Sequence, residues 1–187
     1  MSLPRGPVRI TYFVHGATVD NEKGLATGWA PGKLSEKGIA QSRELAASLA
    51  GERFDAVFCS DLRRAVDSAQ LVFGGRHRIV RDRRLREVDY GDWTGKPAWE
   101  FKERMADFVE KPFPGGESYR DVERRMGEFL ASIREKYAGK RVALVAHQAP
   151  QLALDVLLRG KSWKEAITED WRKRNAWQSG WHYTLEG

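Results

Sequence analysis

A three-layer α/β/α sandwich around a largely parallel central sheet is the fold predicted by this sequence, and three observations predict it. Short runs rich in β-branched and aromatic residues alternate along the chain with helical periodicities. Residues 142–146 (VALVA) form an uninterrupted apolar run, as expected of a strand covered on both faces. No internal repeat, low-complexity tract or linker breaks the alternation, and 187 residues suit a single domain spanning 1–187.

The first strand is read at Val8–Val14 (VRITYFV) and ends at His15-Gly16, where the chain must turn. Ser35 caps a helix running through Ala40 to residue 49, with Ile39, Leu45, Ala46 and Leu49 at approximate helical spacing and Gly51 at its stop. Ala56–Cys59 (AVFC) reads as a second, buried strand. Ser60-Asp61 then opens a helix over residues 63–72. Ile79-Val80 forms a third strand. Residues 91–116, punctuated by Pro97, Pro112, Pro114, Gly115 and Gly116, read as irregular or partly helical. From 119 to 137, Val122, Met126, Phe129, Leu130 and Ile133 recur on one helical face. After the 142–146 strand, a helix covers 150–158, and Trp181–Leu185 forms the last strand.

Composition narrows the partners. The chain is 41% hydrophobic and 31% charged, a folded rather than disordered balance. No apolar run reaches a membrane span, and the first residues lack the apolar core and cleavage site of a secretory signal. The one cysteine, Cys59, excludes an internal disulfide and a multi-cysteine zinc site, and a cytoplasmic location is expected. A net charge of +6 favours anionic partners: nucleic acid, a membrane surface or phosphorylated small molecules. The cluster Arg76, Arg78, Arg81, Arg83, Arg84 and Arg86 reads as a solvated strand edge and loop. No RNA-binding aromatic signature or helix-turn-helix pattern supports nucleic acid. A small phosphorylated substrate is the expected partner, with neither nucleic acid nor membrane.

The candidate chemistry gathers at strand ends. His15 and His147 each follow a strong apolar strand, Arg63 and Arg64 follow the second, and Glu87 follows the arginine-rich segment. In a mostly parallel sheet such positions share one edge, where ligands bind. Two imidazoles, a guanidinium fork and one acid suit a tetrahedral oxyanion. An imidazole nitrogen is a competent nucleophile towards phosphorus, and a covalent intermediate splits one hard displacement into two easier ones.

These residues also resemble a family. The segment from Phe13 through Val14, His15, Gly16, Ala17, Thr18, Val19 and Asp20 to Asn21 resembles the strand-end motif of the histidine phosphatase (phosphoglycerate mutase-like) superfamily, branch 1. Ser60-Asp61-Leu62-Arg63-Arg64-Ala65 resembles its phosphate-binding arginine segment. Leu85-Arg86-Glu87 with Tyr90 to Lys96 resembles its general-acid segment. Pro114-Gly115-Gly116-Glu117-Ser118 and the 142–148 strand complete five ordered motifs. The resemblance implies a phosphoglycerate mutase-like fold and a phosphomonoesterase needing neither cofactor nor metal. By the same resemblance, His15 is the phosphorylated nucleophile, Glu87 the proton donor, and His147 completes a positive pocket. Arg64 clamps phosphate, and Asn21 and Thr18 are lesser phosphate or loop contacts; Gln148, outside the family pattern, either bonds substrate through its amide or narrows the pocket. Arg63 is expected to be a solvated neighbour, and Glu117 a charge at a helix start.

Two positions depart from the family pattern. Val14 stands where an arginine usually precedes the nucleophile, and Gln148 where glycine usually follows the second histidine. A charge-assisted hydrogen bond contributes about 1.5–3 kcal/mol, roughly 10- to 150-fold in rate. Val14 is compatible with a slow enzyme, with a phosphate-ester-binding or regulatory protein, or with a substitute cation such as Lys23, Arg86 or Lys96. A separation of only 60 positions between Glu87 and His147 favours hydrolysis over a phosphoglycerate mutase.

Other candidates fall away. A cysteine-based phosphatase has five residues between its cysteine and its arginine, and that spacing from Cys59 falls on Ala65, so Cys59 is read as a buried strand end. His77 is read as a solvent-facing loop residue and His182 as structural, and no metal-binding spacing is present. Trp163, Trp171, Trp177 and Trp181, with Arg172, Lys173 and Arg174, form either a clamp over the sheet or an aromatic, basic wall that selects substrate.

Overall fold

The computed structural model describes residues 6–174 and 180–187. Strands β1 (Val8–Val14), β2 (Ala56–Cys59), β3 (Ile79–Arg81), β4 (Arg141–Ala146) and β5 (Trp181–Leu185) form one sheet in the order β3-β2-β4-β1-β5. β1 to β4 run parallel and β5 pairs antiparallel with β1 at the edge. The helices are α1 (Val19–Glu22), α2 (Glu36–Ser48), α3 (Arg63–Phe73), α4 (Trp99–Lys102), α5 (Tyr119–Arg134), α6 (Gln148–Arg159) and α7 (Trp163–Thr168).

The alternation of side chains along β4 sorts the core into two layers. Val142, Leu144 and Ala146 face one cluster with α5, α6 and α7, whereas Ala143 and Val145 face the other with α3. Both sets are almost fully buried, each large aliphatic side chain contributing roughly 1.5–3 kcal/mol. This is the expected α/β/α arrangement, with β4 central and covered on both sides.

Helix boundaries differ from expectation where local chemistry overrides periodicity. α3 begins at Arg63 behind Leu62, because the Ser60 hydroxyl turns back to accept from Leu62 N–H and does not cap the helix. α5 stops at Arg134, three residues short of 137, and its start is fixed by a capping box between Ser118 and Asp121. α6 starts at Gln148, placing Pro150 in the first turn, where its missing N–H costs nothing. α1 and α7 are too short for periodicity to reveal. Their signals are capping boxes, Thr18 with Asn21 and Ser162 with Glu165. Residues 91–116 contain α4 and two 3₁₀ turns, Gly91–Trp93 and Met105–Phe108, around the stacked rings of Phe108 and Phe113.

Candidate active site

The sheet register brings three strand ends together. Val14 pairs with Ala146 and Cys59 with Val145, so His15, Ser60 and His147 emerge side by side. His15 N–H donates to Ala146 O and Ser60 N–H to Val145 O, extending both ladders one step past the strands. The turn after His15 packs backbone against backbone on the start of α2. A Cβ on Gly16 would strike the Gly38 carbonyl, and one on Gly38 would strike Ala17, so both positions need glycine. Ser68 Oγ accepts from Gly16 N–H and Gln41 Oε1 from Ala17 N–H, which fixes the turn.

The His15 tautomer follows from its neighbours. Nδ1 lies 2.7 Å from the Gly16 carbonyl, which can only accept, so Nδ1 carries the proton. Nε2 is left with its lone pair, and Arg64 Nε–H points at it from 3.3 Å. Arg64, only 2% exposed, is locked from behind by donating to Ala30 O and Gly28 O. Burial first, and then the Arg64 charge, lower the His15 pKa to about 3, so the ring is neutral.

His147 lies behind His15, their ring centroids 5.0 Å apart. It is fully buried, the Tyr12 hydroxyl brackets its backbone N–H and C=O, and among the described residues neither ring nitrogen has a hydrogen-bond partner. Burial, followed by Arg64 and His15, holds its pKa well below the usual histidine value. Against the expectation that His147 completes a positive pocket, burial disfavours charge on both imidazoles, and the cations belong to other residues.

Glu87 sits at the N-terminus of α6. Oε1 accepts from Val88 and Ala149 N–H at 3.0 and 2.9 Å, and Oε2 from Gln148 N–H at 3.2 Å. The chain around it is held by the Arg125 guanidinium, which donates to the carbonyls of Arg84, Arg86 and Glu87. Glu117 in turn pairs with Arg125 and accepts from Asp89 N–H. Glu117 thus braces the Glu87 loop, while the helix start itself is served by Ser118 and Asp121. Arg125 is a positioning residue that no local motif announces.

A cavity of about 340 Å³ opens above these groups, lined among others by Val14, His15, Asn21, Arg64, Glu87, Lys102, Gln148, Trp171 and Arg172. Thr18 is absent from its wall: fully buried, it caps α1 by accepting from Asn21 N–H, while Asn21 Oδ1 accepts from Thr18 N–H. Its expected phosphate contact is corrected to a structural one. Gln148 lines the cavity, but its side-chain amide donates to Asp170.

Of the substitute cations considered for Val14, none lines the cavity. Arg86 is paired with Asp61 and lies 4.7 Å from the Trp29 ring, and Lys96 lies 5.5 Å from the Trp93 ring. Arg63 is exposed and paired with Asp67, as expected. Cys59 is buried, and burial pushes its thiol up to about 12, so it is unsuited to nucleophilic work. His77 is corrected from a solvent-facing residue to a half-buried one packed edge-on against Phe54 and Phe73. The tryptophans divide. Trp163 and Trp181 belong to the core, Trp171 lines the cavity, and Trp177 lies outside the described residues.

Among the described residues, no group of three or more His, Cys, Asp or Glu is placed to hold a metal ion, and no helix is long and apolar enough to cross a membrane.

Comparison with known proteins agrees with this geometry. A family model described as the histidine phosphatase superfamily (branch 1) matches residues 12–173. Phosphoserine phosphatase 1 of Hydrogenobacter thermophilus is 29% identical over 162 residues, covering 82% of this chain and 77% of its own. The 2,3-bisphosphoglycerate-dependent phosphoglycerate mutase of Methylorubrum extorquens is 33% identical over 166 residues, covering 80% and 78%. The crystal structure of the alpha-ribazole phosphatase from Shigella flexneri superposes with a TM-score of 0.75 at 27% identity, covering 86% of this chain and 84% of that one.

Proposed function

The chain belongs to the histidine phosphatase superfamily, branch 1, and from that membership we propose that it is a metal-independent phosphomonoesterase acting on a small phosphorylated metabolite in the cytoplasm. The observation that carries the reading is the orientation of His15. Its proton is held on Nδ1 by the Gly16 carbonyl, and its Nε2 lone pair, at the cavity lining, accepts from the fixed Arg64 Nε–H, a contact that an incoming phosphoryl group displaces.

The reaction runs in two displacements. The Nε2 lone pair attacks phosphorus, the ester P–O bond breaks, and Glu87 in its protonated form delivers a proton to the leaving oxygen. Glu87, now a carboxylate, takes a proton from water, the hydroxide oxygen bonds to phosphorus, and the P–N bond breaks to restore neutral His15. Arg64 offsets charge on the phosphoryl oxygens. Of the two Glu87 oxygens, Oε2 makes the single, longer bond, to Gln148 N–H, and is the one suited to exchange it for a proton.

Relatives named phosphatases support hydrolysis. Relatives named phosphatases and relatives named mutases are both matched, so the names leave mutase chemistry as the alternative that the Glu87–His147 spacing argues against. The test is phosphate release from a panel of phosphate esters in the presence of a chelator, wild type against His15→Ala. The reading expects chelator-insensitive turnover, an acid-labile phosphoenzyme, and loss of both in His15→Ala. Transfer between phosphoglycerates with little phosphate released identifies a mutase instead. Ester binding without a phosphoenzyme identifies a binding protein.

A further inference from the structure

The two departures from the family pattern, Val14 and Gln148, meet in one structural device. Val14 ends β1 and lines the cavity with a side chain that cannot donate to phosphate. The same cavity is lined by Trp171 and Arg172 of the 3₁₀ turn Trp171–Arg174, which follows α7. The Gln148 side-chain amide donates to one carboxylate oxygen of Asp170, a residue only 3% exposed. The other Asp170 oxygen accepts from Arg172 twice, from its backbone N–H at 3.2 Å and from Nη1 at 3.1 Å. The guanidinium also lies 4.2 Å from the Trp171 ring centroid.

We propose that Arg172 is the phosphoryl-binding cation that Val14 fails to provide, delivered to the same cavity from the turn after α7 and positioned by Gln148 through Asp170. The proposal rests on the phosphoryl-transfer reading of the site given above. Three features support it. Arg172 lines the cavity together with His15, Arg64 and Glu87. Among the described residues, its Nε and Nη2 have no protein acceptor, so they are available to an oxyanion. Its side chain is 26% exposed, which places the charge at the cavity wall and not free in water. The Arg172 charge also contributes to holding both His15 and His147 neutral, as a cation close to the two rings must.

A glycine after His147 would leave Asp170 without this amide. The structure thus accounts for a glutamine at 148 by the same means as it accounts for the missing arginine. Arg172 contacts the phosphoryl oxygens, whereas Asp170 and Gln148 are positioning residues.

The test is calorimetric binding of orthovanadate, a mimic of the five-coordinate phosphoryl transition state, measured with phosphate release on the same preparations. Arg172→Ala is expected to weaken vanadate binding by roughly 10- to 150-fold, and Arg172→Lys to recover part of the loss. Gln148→Gly weakens binding in the same direction, and in combination with Arg172→Ala adds no further loss, because the two act through one contact. In a Val14→Arg background, removing Arg172 is expected to cost less than about 3-fold, since the new guanidinium takes its place.

Wild-type affinity in Arg172→Ala overturns the proposal, as does an equal loss with and without Val14→Arg, which marks a structural effect. Vanadate binding that depends on Arg172 in a protein without turnover leaves the proposal standing and removes the hydrolase reading. A wild type that binds no vanadate overturns both.

Discussion

The floor of the cavity and its outer wall are built on different principles. The floor, with His15, Arg64 and Glu87 and with His147 behind them, is anchored largely by backbone: strand ladders, glycine-to-glycine contact, and carbonyls or N–H groups gripping the side chains of His15, Arg64 and Glu87. The wall at Trp171 and Arg172 is anchored by side chains, through Asp170 and Gln148. Backbone anchoring changes little when side chains are exchanged, so the reaction machinery is set by the fold. Side-chain anchoring changes with single residues, so the wall is where this chain can depart from its relatives.

Floor substitutions are therefore expected to act on kcat, and wall substitutions on affinity. The largest effect after loss of the proposed nucleophile is expected from Glu87→Gln, which keeps an oxygen for the Val88 and Ala149 N–H groups, gives up the acceptor for Gln148 N–H and removes the transferable proton. Its kcat falls about 10²- to 10⁴-fold with most of the fall abolished for esters whose leaving group needs no proton, such as a nitrophenyl phosphate. A uniform loss across leaving groups would assign Glu87 to positioning instead.

Acid stability comes next. His15 is held to a pKa of about 3 and His147 well below its usual value, so the unfolded chain binds more protons than the native one below about pH 6.5. Stability is complete above that pH and falls as pH drops towards 3, through the folded-state pKa of His15. Denaturant midpoints taken between pH 7 and 4 are expected to flatten in His147→Asn relative to wild type. An unchanged slope would show that the floor is not where protons enter.

Smaller effects separate structure from binding. Thr18→Ala removes the α1 cap and is expected to cost about 1 kcal/mol of stability, with any change in KM following only from loosening of the 18–21 turn. A KM change without a change in melting temperature would return Thr18 to the substrate. Lys102, an exposed residue on the cavity wall, is the weakest case. Lys102→Ala is expected to shift KM for doubly anionic esters by up to about 5-fold, within the roughly 1 kcal/mol typical of exposed charge pairs, and to leave kcat unaltered.

Much of this was legible in the chain. Val8–Val14 and Ala56–Cys59 announced themselves by composition, and the apolar run at 142–146 identified the central strand. His15, Arg64, Glu87 and His147 were found because each follows an apolar run or sits in a recognisable motif. What escaped had no local signature. Arg125 and Glu117 brace the Glu87 loop from 38 and 30 positions away in sequence, and nothing near Glu87 names them. Thr18 was misassigned because a helix cap and a phosphate ligand need the same hydroxyl, and only the position of Asn21 N–H tells them apart.

The sequence alone determined the layers, the strand ends and the residues at the reaction floor, because period-2 and period-3.6 burial and strand-end turns are short-range properties of a chain. It left Trp171 and Arg172 between two readings, a clamp over the sheet and an aromatic, basic wall that selects substrate. Only the tertiary structure decided the protonation state of His15, through a carbonyl on one side and a buried guanidinium on the other. It alone also brought Gln148, Asp170 and Arg172 together at the cavity that Val14 lines. Side-chain hydrogen bonds between residues far apart in the chain leave no periodicity behind, and their electrostatic consequences exist only once folding has excluded water from between them.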